Sequence, residues 1–168
     1  MSTTEHRDMA KEVKANCAIL TISDTRTLDT DSSGHLIAKL VEEAGHHIVD
    51  RALVRDEVTH IGSTLHNWIE DDEVQVILTT GGTGIARRDS TIEVVRRMIT
   101  KPLPGFGELF RVLSYQQVKS AAMLSRAMAG LAGDTFIFTM PGSKNAVNLA
   151  MQKLILPELS HLVWERKR

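Results

Sequence analysis

The chain has 168 residues, 42% hydrophobic and 24% charged, the balance of one ordinary globular domain. With 20 basic against 21 acidic residues the formal net charge is -1, and aromatic residues are 4%, so neither the overall basicity nor the base-stacking platform of a general nucleic-acid or anionic-membrane binder is present. The single cysteine, Cys17, excludes an intrachain disulfide and any zinc site built on several cysteines.

No apolar run approaches the roughly 20 residues of a membrane helix. Residues 1–15 lack the apolar centre of a secretory signal and read as a polar N-terminal arm ahead of one domain, residues 16–168. One thiol and no export signal give the expectation of a reducing, cytoplasmic setting. Short β-type runs then alternate with helical stretches, which predicts a mostly parallel sheet covered by helices. Cys17 to Ile22 is an unbroken apolar strand, as expected of a strand buried on both faces. After a polar loop from Ser23 to Asp31, Ser32 or Ser33 is expected to cap a helix carrying Leu36, Ile37, Leu40 and Val41, with Gly45 at its end. A strand over Ile48–Val54 and a helix over Val58–Glu70 follow, then a third strand, Val74–Thr79, running into Gly81-Gly82-Thr83-Gly84. Ser90-Thr91-Ile92-Glu93 has the form of a capping box opening a helix to about Ile99. Lys101 to Gly105 breaks that helix, and Phe106–Gln117 reads as the next one. Phe136–Met140 is a strand, with Ser125–Leu131 a hairpin partner around Gly133-Asp134. The last helix starts near Asn145, and Pro157 is expected to kink or divide it.

Ligands of open α/β sheets bind at the carboxyl ends of the strands. Four polar loops leave strand ends here: Ser23-Asp24, Arg55-Asp56, Gly81 to Asp89, and Pro141-Gly142-Ser143. Three glycines in Gly81 to Gly84 permit positive φ and close backbone approach, and exposed amides beside a helix start attract anions. Arg87 and Arg88 add charge for phosphate. The loop is neither a Walker A motif nor GxGxxG, and read alone it is equally a tight strand-to-helix turn. Asp56 and Asp89 each follow a strand, and two carboxylates beside a phosphate site suit magnesium. The plainer reading is that Asp56 caps a helix and Asp89 pairs with a neighbouring arginine. The histidines are dispersed, with no metal-ligand spacing, and no G-x-S-x-G elbow is present.

The segments TISDTR, DSSG, TTGGTG with RRDST, GFGELFR, LSRAMAG and MPGSKNAV, in this order, resemble the molybdopterin-binding proteins of molybdenum cofactor biosynthesis, the MoaB/MogA family. The match runs from about Cys17 to beyond Val147. The resemblance implies a three-layer αβα sandwich with a mostly parallel sheet and one antiparallel strand. It implies a homo-oligomer, trimer or hexamer, with molybdopterin and ATP as substrates and magnesium as cofactor, and no nucleic acid or membrane as partner. The implied reaction joins the terminal phosphate of molybdopterin to the α-phosphorus of ATP and releases pyrophosphate. Asp56 and Asp89 match the family's functional acids, for catalysis and for magnesium. Ser23, Asp24, Gly81, Gly82, Thr83, Gly84, Arg88, Ser125, Arg126, Pro141, Gly142 and Ser143 match positions expected to bind molybdopterin or phosphate. Glu108 and Arg111 match further positions, either between subunits or at the pterin. RDSTIE departs from the usual RDxTPE: Ile92 stands where proline is favourable but dispensable at a helix start. A rival reading is a molybdopterin carrier or sensor that does not turn over ATP.

Overall fold

The computed structural model describes residues 3–167. Six strands form one sheet: β1 (Asn16–Ile22), β2 (His47–Val54), β3 (Val76–Thr80), β4 (Lys101–Pro102), β5 (Met128–Ala132) and β6 (Thr135–Met140), in the order β2-β1-β3-β6-β5-β4. β2, β1, β3 and β6 are mutually parallel, and β5 runs antiparallel to both of its neighbours. The expected single reversed strand is therefore β5. β4 was not foreseen in the KPLPG segment. Its backbone pairs Lys101 with Leu131 and Pro102 with Gly130.

The period-two geometry of a strand sends successive side chains to opposite layers. Cys17, Ile19, Val76, Leu78, Phe136 and Phe138 pack under α2 (Ser32–Glu43), α5 (Pro104–Val118) and α6 (Lys144–Ala150). Ala18, Leu20, Ile77 and Ile137 pack under α3 (Val58–Ile69) and α4 (Thr91–Met98). This is the three-layer arrangement, and it explains why β1, β3 and β6 read as unbroken apolar runs.

Several local expectations are corrected. Asp31, not Ser32 or Ser33, is the N-cap of α2; its carboxylate accepts from the Gly34 amide. The capping box at Ser90 does not close: Ser90 makes no side-chain bond to its own helix, and its hydroxyl donates to Asp56 instead. Glu93 pairs with Arg126. A long-range partner has won over the local one in both cases. Residues expected as a polar arm include helix α1 (Thr3–Ala10), which leads to the fully buried Ala15 and contacts α7 (Leu156–Lys167). Pro157 acts through a π turn at Met151–Ile155, where the Leu156 amide reaches back to the Met151 carbonyl. That wider turn gives the proline ring room that an α turn would deny it. At the β2 border the register with β1 slips between Cys17 and Ala18, leaving Val49 without a partner.

Candidate functional site

The four neighbouring parallel strands bring their carboxyl ends to one rim, and the loops expected there meet. The Gly81 amide donates to the Met140 carbonyl at 3.1 Å, tying the ends of β3 and β6. Gly81 and Gly82 have φ of +100° and +66°, a region side chains rarely adopt. A Cβ on Gly81 would run into the Ile22 carbonyl, so the close approach of the chain leaving β3 to the end of β1 needs glycine here. Thr91, buried at the start of α4, pins the turn: its hydroxyl donates to the Gly81 carbonyl at 3.0 Å and its amide to Gly82 at 3.2 Å.

With those carbonyls held, the loop amides are left open. Among the described residues, the amides of Gly82, Thr83, Gly84 and Ile85 find no acceptor. Consecutive unpartnered N–H groups form a concave electropositive patch suited to an oxyanion.

Both predicted acids border this loop. Asp56 does not cap α3. Its Oδ1 accepts from the Ser90 hydroxyl at 2.7 Å and the Ser90 amide at 3.1 Å, anchoring the far end of the glycine loop to the β2 end. Asp89 does not pair with an arginine. Its Oδ2 accepts from the Ala86 amide at 2.8 Å and closes the loop tip. Each acid spends one oxygen on the fold; Asp56 Oδ2 and Asp89 Oδ1 accept no hydrogen bond among the described residues. No group of three or more histidine, cysteine or acidic side chains gathers there, so a fully caged metal is absent among the described residues. Magnesium needs no such cage: one or two carboxylates plus phosphate and water suffice. The donor set fits that demand.

Asp24 receives a two-pronged ion pair from Arg88, with Nε to Oδ2 at 2.9 Å and Nη2 to Oδ1 at 3.0 Å. The Arg88 bond holds the Asp24 carboxyl below its ordinary range, and the same bond raises the arginine. Asp24 Oδ1 also accepts from the Asp56 amide at 3.2 Å, linking the ends of β1 and β2.

A polar cavity of about 150 Å³ lies behind the rim, lined by Thr21, Ser23, Arg26, Asp31, Ser33, Thr80 and Gly142 among others. Of Ser23, Asp24, Gly142 and Ser143, all expected to bind molybdopterin or phosphate, Ser23 and Gly142 line it; Asp24 and Ser143 do not. Ser143 instead caps α6, accepting from the Ala146 amide. The Gly142 carbonyl accepts from Ser33 at 2.8 Å and the Pro141 carbonyl from Thr80 at 2.9 Å. The wall of this cavity was missed in the sequence. Asp31 is buried and accepts from Thr21 at 2.6 Å and Arg51 at 2.9 Å. Burial pushes its carboxyl up, but these bonds and the Gly34 amide outweigh it, and the group ends below the ordinary value. On the other side of the glycine loop, an open groove of about 460 Å³ is lined by Val58, Ile85, Arg87, Asp89, Arg97 and Arg126 among others. Arg126 sits at this second side and bonds the loop carbonyls rather than facing outward, while Ser125 does not line the groove. Arg111 also turns inward, onto the Ser125 and Ala127 carbonyls, while Glu108 is exposed.

Comparison with known proteins places the chain in a family. The family described as "Probable molybdopterin binding domain" matches residues 18–161. Molybdenum cofactor biosynthesis protein B of Bacillus cereus is 50% identical over 170 aligned residues, covering 100% of this chain and 99% of the relative. The crystal structure of a molybdenum cofactor biosynthesis protein B superposes with a TM-score of 0.89 at 49% identity, over 92% of this chain and 97% of the other. The tungsten cofactor synthesizing protein MoaB from Pyrococcus furiosus does so with a TM-score of 0.82 at 34% identity, over 92% and 98% of the two chains. Sequence and fold thus converge, and the chain belongs to the MoaB/MogA molybdopterin-binding family of molybdenum cofactor biosynthesis.

Proposed function

We propose that the chain is a molybdopterin adenylyltransferase. The terminal phosphate oxygen of molybdopterin attacks the α-phosphorus of ATP; the new P–O bond forms as the α–β bond breaks, and pyrophosphate leaves. The observation that carries this reading is the row of four open amides, Gly82 to Ile85, flanked by two acids that each keep one oxygen unused.

Phosphoryl chemistry of this kind asks the protein mainly for alignment and charge neutralisation. The amides cradle phosphate oxygens without moving, because Thr91 and Met140 already hold the turn. Asp56 Oδ2 and Asp89 Oδ1 are the oxygens that would hold magnesium, which when bound offsets phosphate charge. The polar cavity supplies hydroxyls of Ser23 and Ser33 and the Arg26 guanidinium toward the pterin. The reading extends to a homo-oligomer. An exposed apolar stripe at three-residue spacing on α5, formed by Leu109, Val112, Tyr115 and Val118, supports it.

Pyrophosphate release from magnesium ATP, with and without molybdopterin, tests the proposal. Asp89→Asn is expected to retain the fold and bind molybdopterin while lowering pterin-dependent release by about a hundredfold or more. Release that survives in Asp89→Asn removes Asp89 from the mechanism. No release by the unmodified chain, despite measurable pterin binding, assigns it instead as a carrier or sensor.

A further inference from the structure

Open amides bind an oxyanion only if the peptide planes stay turned the right way. In the glycine loop, Thr91 holds the first two of those planes, and one further side chain sets the next two. Arg126 donates from Nη2 to the Gly84 carbonyl at 2.6 Å, and from Nε to Gly84 at 3.1 Å and Thr83 at 3.4 Å. Its Nη1 closes an ion pair with Glu93 on α4, and Nη2 lies 3.4 Å from the other Glu93 oxygen. Each guanidinium nitrogen therefore has an acceptor within the protein.

A trans peptide places its N–H opposite its C=O. Turning the Thr83 and Gly84 carbonyls toward Arg126 thus turns the amides of Gly84 and Ile85 to the other side of the loop. Those are two of the four amides without an acceptor.

Arg126 is itself braced at both ends. Arg126 holds the Glu93 carboxyl below its ordinary range, so the counter-ion stays charged. Arg111 donates to the carbonyls on either side of Arg126, at 3.4 Å to Ser125 and 3.0 Å to Ala127. One helical turn before Arg111, Gly107 lets α5 approach so closely that a Cβ there would lie 2.5 Å from the Ala127 carbonyl. The chain of contacts runs from α5 through the entry to β5 and α4 to the loop.

We infer that Arg126 is a positioning residue and not a ligand of the substrate: with Glu93 as counter-ion and Arg111 as brace, it fixes which way the phosphate-facing amides point. Arg87 and Arg88 place tryptic sites inside the same loop, which gives a readout free of any substrate. The unliganded full chain is digested with trypsin, cleavage after Arg87 and Arg88 is followed by mass spectrometry, and magnesium ATP affinity is measured by calorimetry. Arg126→Met is expected to speed that cleavage and weaken ATP, each by about tenfold, with cleavage elsewhere unchanged. Arg126→Lys is expected to behave like Arg126→Met, because one ammonium cannot span the carbonyls and the carboxylate together. Glu93→Gln shifts both readings in the same direction by less, and adding it to Arg126→Met changes neither further.

Unchanged loop cleavage in Arg126→Met with weaker ATP binding would overturn the inference, since the arginine would then touch the ligand. Full rescue by Arg126→Lys would overturn it too. If Arg126→Met does not fold, Glu93→Gln decides alone: unchanged cleavage overturns the inference. The ATP measurement rests on the proposed function, whereas the cleavage does not. Faster cleavage with unchanged ATP affinity supports the tether and instead removes the nucleotide from the loop.

Discussion

Asp31 shows how a single buried carboxylate ties three elements together beneath the rim of the sheet. Three groups bind it, the Thr21 hydroxyl, the Gly34 amide and Arg51, so one residue fixes the end of β1, the start of α2 and a β2 side chain together. Its carboxyl is held below the ordinary value of 3.8 in the folded chain. The stability it contributes is therefore complete above that value and is lost as pH falls through it toward the lower folded one. Asp31→Asn is expected to cost about 2 kcal/mol at pH 7. Urea unfolding should show the gap between mutant and unmodified chain shrinking as pH falls below about 4. A gap constant with pH would show that the ionised form contributes nothing. The sequence alone did not single out this residue. Asp24, Asp29 and Asp31 sit in one polar loop, and only the long-range partners Thr21 and Arg51 make the third one structural. Gly81 to Gly84, Asp56 and Asp89 were legible because their spacing lies within single loops at strand ends.

Helix α5 carries two glycines two residues apart with opposite demands. Gly105 has nothing within 4 Å of where a Cβ would stand, whereas at Gly107 that Cβ would meet the Ala127 carbonyl at 2.5 Å and Arg111 at 2.9 Å. Gly105→Ala is expected to stabilise the chain by about 0.5 kcal/mol, through the smaller entropy of the unfolded chain. Gly107→Ala is expected to destabilise it by about 1–3 kcal/mol, since the helix must lift from β5. Thermal midpoints moving in opposite directions would check both; equal shifts would contradict the close approach. The long elements were legible from their apolar periods. β4 was not, because two residues carry no period and are strand only through Gly130 and Leu131. The π turn before Pro157 likewise answers a proline whose position was clear and whose local accommodation was not.

Over the whole molecule, the polar loops of the proposed site meet at the carboxyl rim of the sheet, while six large exposed apolar side chains gather along α5 and the segment that follows it. Leu109, Val112, Tyr115 and Val118 on α5 continue into Met123 and Leu124 of the following 3₁₀ segment, Lys119–Leu124. The proposed oligomer predicts that Val112→Glu shifts sedimentation toward the monomer, while Lys39→Glu on α2 does not. Identical sedimentation of both variants and the unmodified chain would exclude this stripe as the contact. Among the described residues, no helix is long and apolar enough to cross a membrane. The fold class was legible because strand and helix patterns alternate along the chain; a subunit contact is not legible in the same way, because it would use the same apolar residues as a core face.

The slip at Val49 has a wider consequence. β2 forms one border of the sheet, where that bulge interrupts the ladder and Asp50 and Arg51 add charge to the strand. The opposite border, β4, is two residues long, and one of them is a proline with no N–H to offer. Neither margin presents a template on which a foreign strand can grow. Any self-association is thereby steered away from open-ended fibrils, as the proposed homo-oligomer through α5 requires.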